Sequence, residues 1–235
     1  MLHTVTTISA NGKITETGGE LPREFPLKLI VNGVELATLI ASPHDLRFLV
    51  AGFLLMQGYS RSVDDFEMLS VCEDFGIANV RVKGDLPPRP TPVLTSGCGA
   101  GISFSLPGPR PVAQGGNRLA AEDIFSVFNE LSRLAGRYSS HGGIHSAAIA
   151  EGGVIVIHSE DLGRHNAIDR LAGEALLRGI CLEGKLMVTS GRISSEMAAK
   201  AAQMGVAAIA SRTSPTDMAV RICEEAGIAL IGYVR

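Results

Sequence analysis

The sequence predicts an α/β protein in which a mixed, largely parallel sheet follows a small N-terminal α+β unit. Three observations lead there. From Val154 onward, short apolar runs alternate with helical patterns, the rhythm of βαβ units with right-handed crossovers. Before residue 84 the chain reads mainly as strands around one helix. Between the two, residues 84–117 hold seven of the eleven prolines, Pro87 to Pro111, and glycines at 84, 97, 99, 101, 108, 115 and 116. No regular ladder or helix tolerates that composition. The chain therefore divides into a unit over 1–83, a loop over 84–117 and an α/β core over 118–235.

In the first unit, Leu27–Val31 and Glu35–Ile40 flank Asn32-Gly33, a strong two-residue hairpin signal. Ser42-Pro43 supplies an N-cap and an N1 proline for a helix over His44–Gln57, with Leu46, Phe48, Leu49, Phe53 and Leu54 on its apolar side. Gly58 ends it. Phe66–Cys72 and Ile77–Val82 form a second strand pair. This unit is expected to carry little chemistry of its own.

The core opens with a helix over Ala120–Arg137, whose Ile124, Val127, Phe128, Leu131 and Leu134 mark a buried face and which holds nothing catalytic. Ala147–Ala150 and Val154–His158 should pair antiparallel across Glu151-Gly152-Gly153. That pairing brings the start of the first strand beside the end of the second, and so His141 and His145 near Asp161 and His165. The succession then runs helix 164–178, strand 185–189, helix 194–204, strand 206–210, helix 215–226 and strand 228–232. Ser214-Pro215-Thr216-Asp217 reads as N-cap, N1 proline and N3 acid, and Gly227 as the C′ residue. Glu196 and Lys200 read as an i, i+4 pair on a helix surface; Met197, Ala201 and Met204 read as core.

Composition narrows the function classes. The formal net charge of −3 gives no reason to expect nucleic acid or an anionic membrane as partner, so any phosphate must be held by a local site. No apolar run approaches the roughly 18 residues of a membrane span. Met1-Leu2-His3-Thr4-Val5-Thr6 lacks the regions of a signal peptide, and a cytoplasmic protein is expected. The four cysteines form no C-x-x-C pair and no disulfide scaffold. Cys98 stands apart from the others: glycines on both sides let its sulfur approach another molecule closely, which suits a nucleophilic or sulfur-carrying thiol.

Polar residues gather where strands hand over to helices, the place where α/β proteins collect ligands and where new helices offer unpaired N–H groups. The first junction is Asp161-Leu162-Gly163-Arg164-His165-Asn166. Asp161 is placed to cap the helix. Gly163 admits a ligand to the backbone, and Arg164 can fork onto a phosphate or carboxylate. Asn166 and Asp169 share a helix face that Gly173 continues. Asp169 is placed either to accept from a base amino group or to pair with Arg170 or Lys185. The second junction offers Ser190, Gly191, Arg192 and Ser194, the third Ser211, Thr213 and Thr216. Together they describe a rim for a phosphorylated or nucleotide-like ligand. The Walker A and G-x-G-x-x-G patterns are absent, as are the H-x-E and P-C-x-x-C of zinc deaminases.

Several of these segments carry a family resemblance. Ser96-Gly97-Cys98-Gly99, Gly142-Gly143-Ile144-His145-Ser146-Ala147-Ala148, Glu160-Asp161-Leu162-Gly163-Arg164-His165-Asn166-Ala167-Ile168-Asp169, Ser190-Gly191-Arg192-Ile193-Ser194-Ser195-Glu196-Met197 and Ser214-Pro215-Thr216 resemble the FdhD/NarQ family of formate dehydrogenase accessory sulfurtransferases. The similarity runs in order from about residue 24 to the end. It implies a cytidine-deaminase-like three-layer core without the zinc ligands, assembled as a homodimer. It also implies a sulfurtransferase that carries sulfur from a cysteine desulfurase to the molybdenum (or tungsten) bis-pterin guanine dinucleotide cofactor of formate dehydrogenase. On that reading Cys98 bears the persulfide, and the nucleotide lies on the rim with its phosphates at the helix starts.

Two departures follow. Some members have a second cysteine three residues after the first, where this chain has Gly101, so Cys98 would act alone. Members usually continue past the final strand with a basic, cofactor-contacting segment, whereas this chain stops at Tyr233-Val234-Arg235. Tyr233 and Arg235 are included among the candidate contacts. The competing reading is a chaperone that shelters and delivers the finished cofactor without sulfur chemistry, which would need the rim but not Cys98.

Overall fold

The computed structural model describes residues 2–86, 93–94, 102–103, 119–136 and 142–235. Cys98 and His141 lie outside these described residues.

The N-terminal unit begins with a two-stranded ribbon, β1 (Leu2–Ile8) and β2 (Ile14–Glu20). It continues with β3 (Phe25–Val31), β4 (Val34–Ala41), α1 (Leu46–Met56), β5 (Phe66–Cys72) and β6 (Ile77–Val82). These last four strands form one sheet in the order β4-β3-β6-β5, with β3 and β6 parallel and the outer pairs antiparallel. Asn32 and Gly33 both have positive φ, 48° and 80°, as a hairpin turn with the twist of its strands requires. Gly58, with φ 76°, closes α1 as expected. A two-residue pair follows, β7 (Val93–Leu94) with β8 (Ile102–Ser103).

The core comprises α2 (Ala121–Leu134), β9 (His145–Glu151), β10 (Val154–Asp161), α3 (Arg164–Arg178), β11 (Leu186–Thr189), α4 (Ser195–Met204), β12 (Ala208–Ser211), α5 (Asp217–Ala226) and β13 (Ala229–Ile231). Its sheet runs β10-β9-β11-β12-β13. β9 pairs antiparallel on both sides, and every other neighbouring pair is parallel. Ala147, Ile149, Ile157, Met187 and Ile209 face α3, α4 and α5, while Ala148, Ala150, Leu186, Val188, Ala208 and Ala210 face Val127, Phe128 and Leu131 of α2. Because strand side chains alternate between faces, both faces of these short apolar strands are buried, and the result is a three-layer α/β architecture.

Three helix starts differ from the sequence expectation: α3 begins at Arg164 with Gly163, not Asp161, as its N-cap. Thr216, not Ser214, caps α5, its Oγ1 accepting from the N–H of Ala219 at 3.3 Å. The helix after Ser42-Pro43 starts at Leu46 with Asp45 as N-cap in the left-handed region. Ser42 is thereby released for another use, described below. Among the described residues no helix is long and apolar enough to cross a membrane.

The two units meet along α1 and α3, where Gly52 and Gly173 bring the backbones into contact. A Cβ on Gly52 would fall on the carbonyl of Asp169, and one on Gly173 on the carbonyl of Phe48. Neither obstacle is a flexible side chain, so the helices would have to separate. Gly52→Ala and Gly173→Ala should each destabilise the protein by at least the roughly 1–3 kcal/mol of an overpacked core. Melting temperatures should fall by about 2–4 °C per kcal/mol. An unchanged melting temperature in both variants would contradict this packing.

Candidate functional site

The topology places four parallel strand ends and the start of β9 on one edge. His145 opens β9 directly opposite Asp161, the last residue of β10. Ser190 and Gly191 follow β11, Ser211 ends β12, and the chain leaves β13 through Gly232 and Tyr233. The predicted adjacency of His145, Asp161 and His165 thus follows from one antiparallel pairing.

Asp161 is fully buried and hydrogen-bonded on both oxygens. Oδ1 accepts from the N–H of Gly163 (3.0 Å) and Nδ2 of Asn166 (2.9 Å). Oδ2 accepts from the N–H of Ser42 (3.1 Å) and from Nε (2.9 Å) and Nη2 (2.7 Å) of Arg170. Arg170, itself 1% exposed, also donates to the carbonyls of Ser42 (2.7 Å) and His44. The N–H of Leu162 donates to Ser42 Oγ (3.1 Å) and Asn166 Nδ2 to the carbonyl of Ile40 (2.8 Å). Two assignments change accordingly. Asp161 organises the rim from beneath through internal partners, and half-buried Asn166 spends its Nδ2 on Asp161 and the Ile40 carbonyl. The N-terminal unit, expected to carry little chemistry, supplies the Ile40–His44 segment on which the first junction is built.

Asp169 is also internal, 2% exposed, with Lys200 Nζ 2.6 Å from Oδ1. Burial, with Asp161 and Glu196 nearby, pushes its carboxyl up against the pull of the Lys200 ammonium. Its partner is therefore neither Arg170 nor Lys185, and it has no free edge for a base amino group. The surface pair predicted for Glu196 and Lys200 does not form as such. Lys200 points inward to Asp169, and Glu196 lies against His165, with 3.1 Å between Oε2 and Nε2. Both residues were missed as parts of the site. The one local signal was their place on the helix face that carries Met197 and Ala201.

The later junctions are tied together in the same way. Ser190 Oγ accepts from the N–H of Ser146 (3.0 Å) and lies 3.4 Å from His145 Nδ1. Ser211 Oγ donates to the carbonyl of Gly191 (2.7 Å) and accepts from the N–H of Thr213 (3.0 Å). Ser211 and Thr216 thus serve the loops and the α5 cap. Gly191 is needed for space: a Cβ there would lie 3.0 and 3.1 Å from Cβ and Cδ of Arg164 and 3.3 Å from His145 Nδ1. Gly163 is the N-cap of α3.

What remains uncommitted is a smaller set. Arg164 is 8% exposed, yet its buried Nε has no hydrogen-bond partner among the described residues. The same holds for His165 Nε2 and Ser194 Oγ. The Glu196 carboxylate is near His165 but out of line for a hydrogen bond. Ser194 is the N-cap of α4 without the usual side-chain cap. Arg192 and Thr213 are exposed beside this group. Tyr233, 60% exposed with φ 55°, and Arg235 lie past the end of β13.

Burial, with the Lys200 and Arg164 cations and the neighbouring His145, lowers His165 to about 3. Burial and Arg164 also hold His145 below the usual imidazole range, against Asp161. Both rings are neutral at physiological pH. A neutral imidazole, a guanidinium with a free N–H and two helix starts form a seat for an anionic or strongly polar group.

The family model described as the FdhD/NarQ family matches residues 22–235. The chain is 34% identical over 232 residues to the sulfur carrier protein FdhD of Staphylococcus aureus strain MRSA252, covering 96% of this chain and 88% of that one. The same protein from strain Newman matches equally, at 34% over 232 residues. The crystal structure of a putative formate dehydrogenase accessory protein from Desulfotalea psychrophila superposes with a TM-score of 0.82 and 25% identity, covering 100% of this chain and 93% of that one.

Two predictions follow from the geometry. Arg170→Met strands the Asp161 carboxylate without its counter-charge and should cost about 3–5 kcal/mol in urea denaturation. Arg178→Ala, which breaks a half-exposed pair with Glu174 and a contact with the Phe48 ring, should cost only about 1–2 kcal/mol. His165 supplies the pH dependence. Between about 6.5 and about 3 the unfolded chain takes up a proton that the folded chain refuses, so stability falls as pH falls through that window. His165→Gln should remove part of that slope, at most about 1.4 kcal/mol per pH unit. Superimposable stability–pH curves for the two proteins would refute the assignment.

Proposed function

Because the chain belongs to the FdhD/NarQ family, we propose that it is a cytoplasmic sulfur carrier serving formate dehydrogenase, with a cysteine desulfurase as donor and a bis-pterin guanine dinucleotide bearing molybdenum or tungsten as recipient. The observation that supports this best is the state of Arg164. A guanidinium nine-tenths buried at a helix start, with Nε unpaired among the described residues, suits an anionic group of the recipient. His145, His165 and Ser194 would border that group as neutral donors or acceptors, which orients it without adding charge.

In the loading step the Cys98 thiolate attacks the outer sulfur of the donor's cysteine persulfide. The donor S–S bond breaks, the donor cysteine leaves as a thiolate, and Cys98 keeps the sulfur as its own persulfide. Handing that sulfur on as sulfide consumes two electrons, which an external thiol supplies. Gly97 and Gly99 leave the backbone free to approach both partners.

Incubation with desulfurase and cysteine should add one sulfur mass to the peptide containing Cys98, and Cys98→Ala should abolish the gain in mass. Arg164→Ala should keep the persulfide but lose roughly tenfold or more in affinity for a guanine nucleotide, as removal of a charge-assisted contact predicts. A chain that binds nucleotide but never gains the sulfur would instead be the sheltering chaperone.

A further inference from the structure

Helices α3 and α4 face each other through a ladder of ionisable side chains, with His165 and Asp169 at i, i+4 on one and Glu196 and Lys200 at i, i+4 on the other. Lys200 Nζ lies 2.6 Å from Asp169 Oδ1, with both side chains almost fully buried. One turn nearer the helix starts, Glu196 Oε2 lies 3.1 Å from His165 Nε2. On the reading of Arg164 as an anion seat, we propose that Glu196 determines its specificity. The carboxylate keeps the His165 proton on Nε2, the ring offers the rim only an acceptor, and the rim selects an anion that brings a hydrogen of its own.

A carboxylate only accepts hydrogen bonds, so a lone pair on Nε2 facing Glu196 would be repelled. An N–H there is attracted, even off the line between the two atoms. Glu196 stands in the first turn of α4, where unpaired N–H groups favour a negative side chain, and only 13% of its side chain is exposed. The ring has a single proton to place, because burial and the surrounding Lys200, Arg164 and His145 lower it to about 3. Nε2 is buried while 21% of the His165 side chain is exposed, so the ring shows its other atoms to solvent. With Nε2 protonated, Nδ1 is a lone-pair acceptor. Beside the unpaired Nε donor of Arg164, that acceptor makes a mixed seat. The bound group accepts from the guanidinium and donates to the imidazole. A fully ionised oxyanion of the same shape would meet the Nδ1 lone pair with its own.

Inorganic phosphate near neutrality carries a hydrogen and sulfate carries none, so the two anions probe the seat at nearly constant shape. In the ligand-free protein, heteronuclear NMR of the imidazole nitrogens, assigned by the signals lost in His165→Gln, should show Nε2 protonated and Nδ1 bare. Phosphate should shift those signals saturably. Sulfate should bind at least about tenfold more weakly, the scale of a hydrogen bond replaced by an unsatisfied acceptor. In Glu196→Gln, whose amide can turn either end to the ring, both tautomers should appear and the preference should shrink. A proton on Nδ1 in the wild-type chain, sulfate bound as tightly as phosphate, or a preference undiminished in Glu196→Gln would overturn the assignment. Binding of neither anion would overturn the Arg164 seat and the selectivity with it. The carrier role is read separately, by the sulfur mass gained on Cys98 of the wild-type chain.

Discussion

The buried pair of Asp161 and Arg170 is the constraint on which the rest of the molecule depends. Taking both ions out of water costs several kcal/mol each, and mutual attraction offsets that only when the remaining donors and acceptors are satisfied. Here they are. Both oxygens of Asp161 accept at least two hydrogen bonds, and Arg170 extends past the carboxylate to the carbonyls of Ser42 and His44. The pair therefore joins the link between β4 and α1 to the junction between β10 and α3. Because Asp161 also holds the N–H of Gly163, the direction in which Arg164 and His165 leave α3 is set by the same carboxylate.

The rim divides into saturated and unsaturated polar groups, and only the unsaturated ones have hydrogen-bonding capacity left over. Asp161, Asp169 and Ser211 are buried and bonded to internal partners, while Arg164 Nε, His165 Nε2 and Ser194 Oγ are buried without a hydrogen bond among the described residues. A buried donor left unpaired costs about 1–3 kcal/mol. Here three such groups lie together at two helix starts. One turn deeper, the Asp169–Lys200 pair lies beneath His165, and its ammonium helps keep that imidazole neutral. Among the described residues, the buried cation left with an unpaired N–H at these helix starts is Arg164, next to the His145 and His165 rings.

The architecture was legible because it rests on local pattern. Alternating apolar runs, the Asn32-Gly33 turn and the Gly227 stop each follow from nearest-neighbour geometry, and the His145–Asp161 contact follows from one tight turn. What local pattern does not contain is the choice among distant partners. Ser42-Pro43 has the form of a helix start, yet Ser42 bonds to Asp161 and Leu162, about 120 residues later. Glu196 and Lys200 have the spacing of a surface pair, yet each prefers a partner on α3, because the face carrying Met197 and Ala201 is turned inward. Asp169 met Lys200 for the same reason. In each case tertiary burial overrode a weak local preference worth a few tenths of a kcal/mol.

The glycine contact between α1 and α3 gives the clamp its mechanical meaning. With Gly52 against the carbonyl of Asp169 and Gly173 against that of Phe48, the two backbones cannot slide without one carbonyl meeting the next residue's Cβ. Asp169 sits at that contact, bonded through its side chain to Lys200 of α4. Asp161, at the end of β10, and Arg170, the residue after Asp169, are bonded to the segment that leads into α1. A displacement of α1 would therefore reach both carboxylates together, one through the backbone and one through hydrogen bonds, and with them the helix starts that aim Arg164 and Ser194. The N-terminal sheet is then the outer wall of the site's foundation, which is why an apparently idle unit is packed so closely against the core.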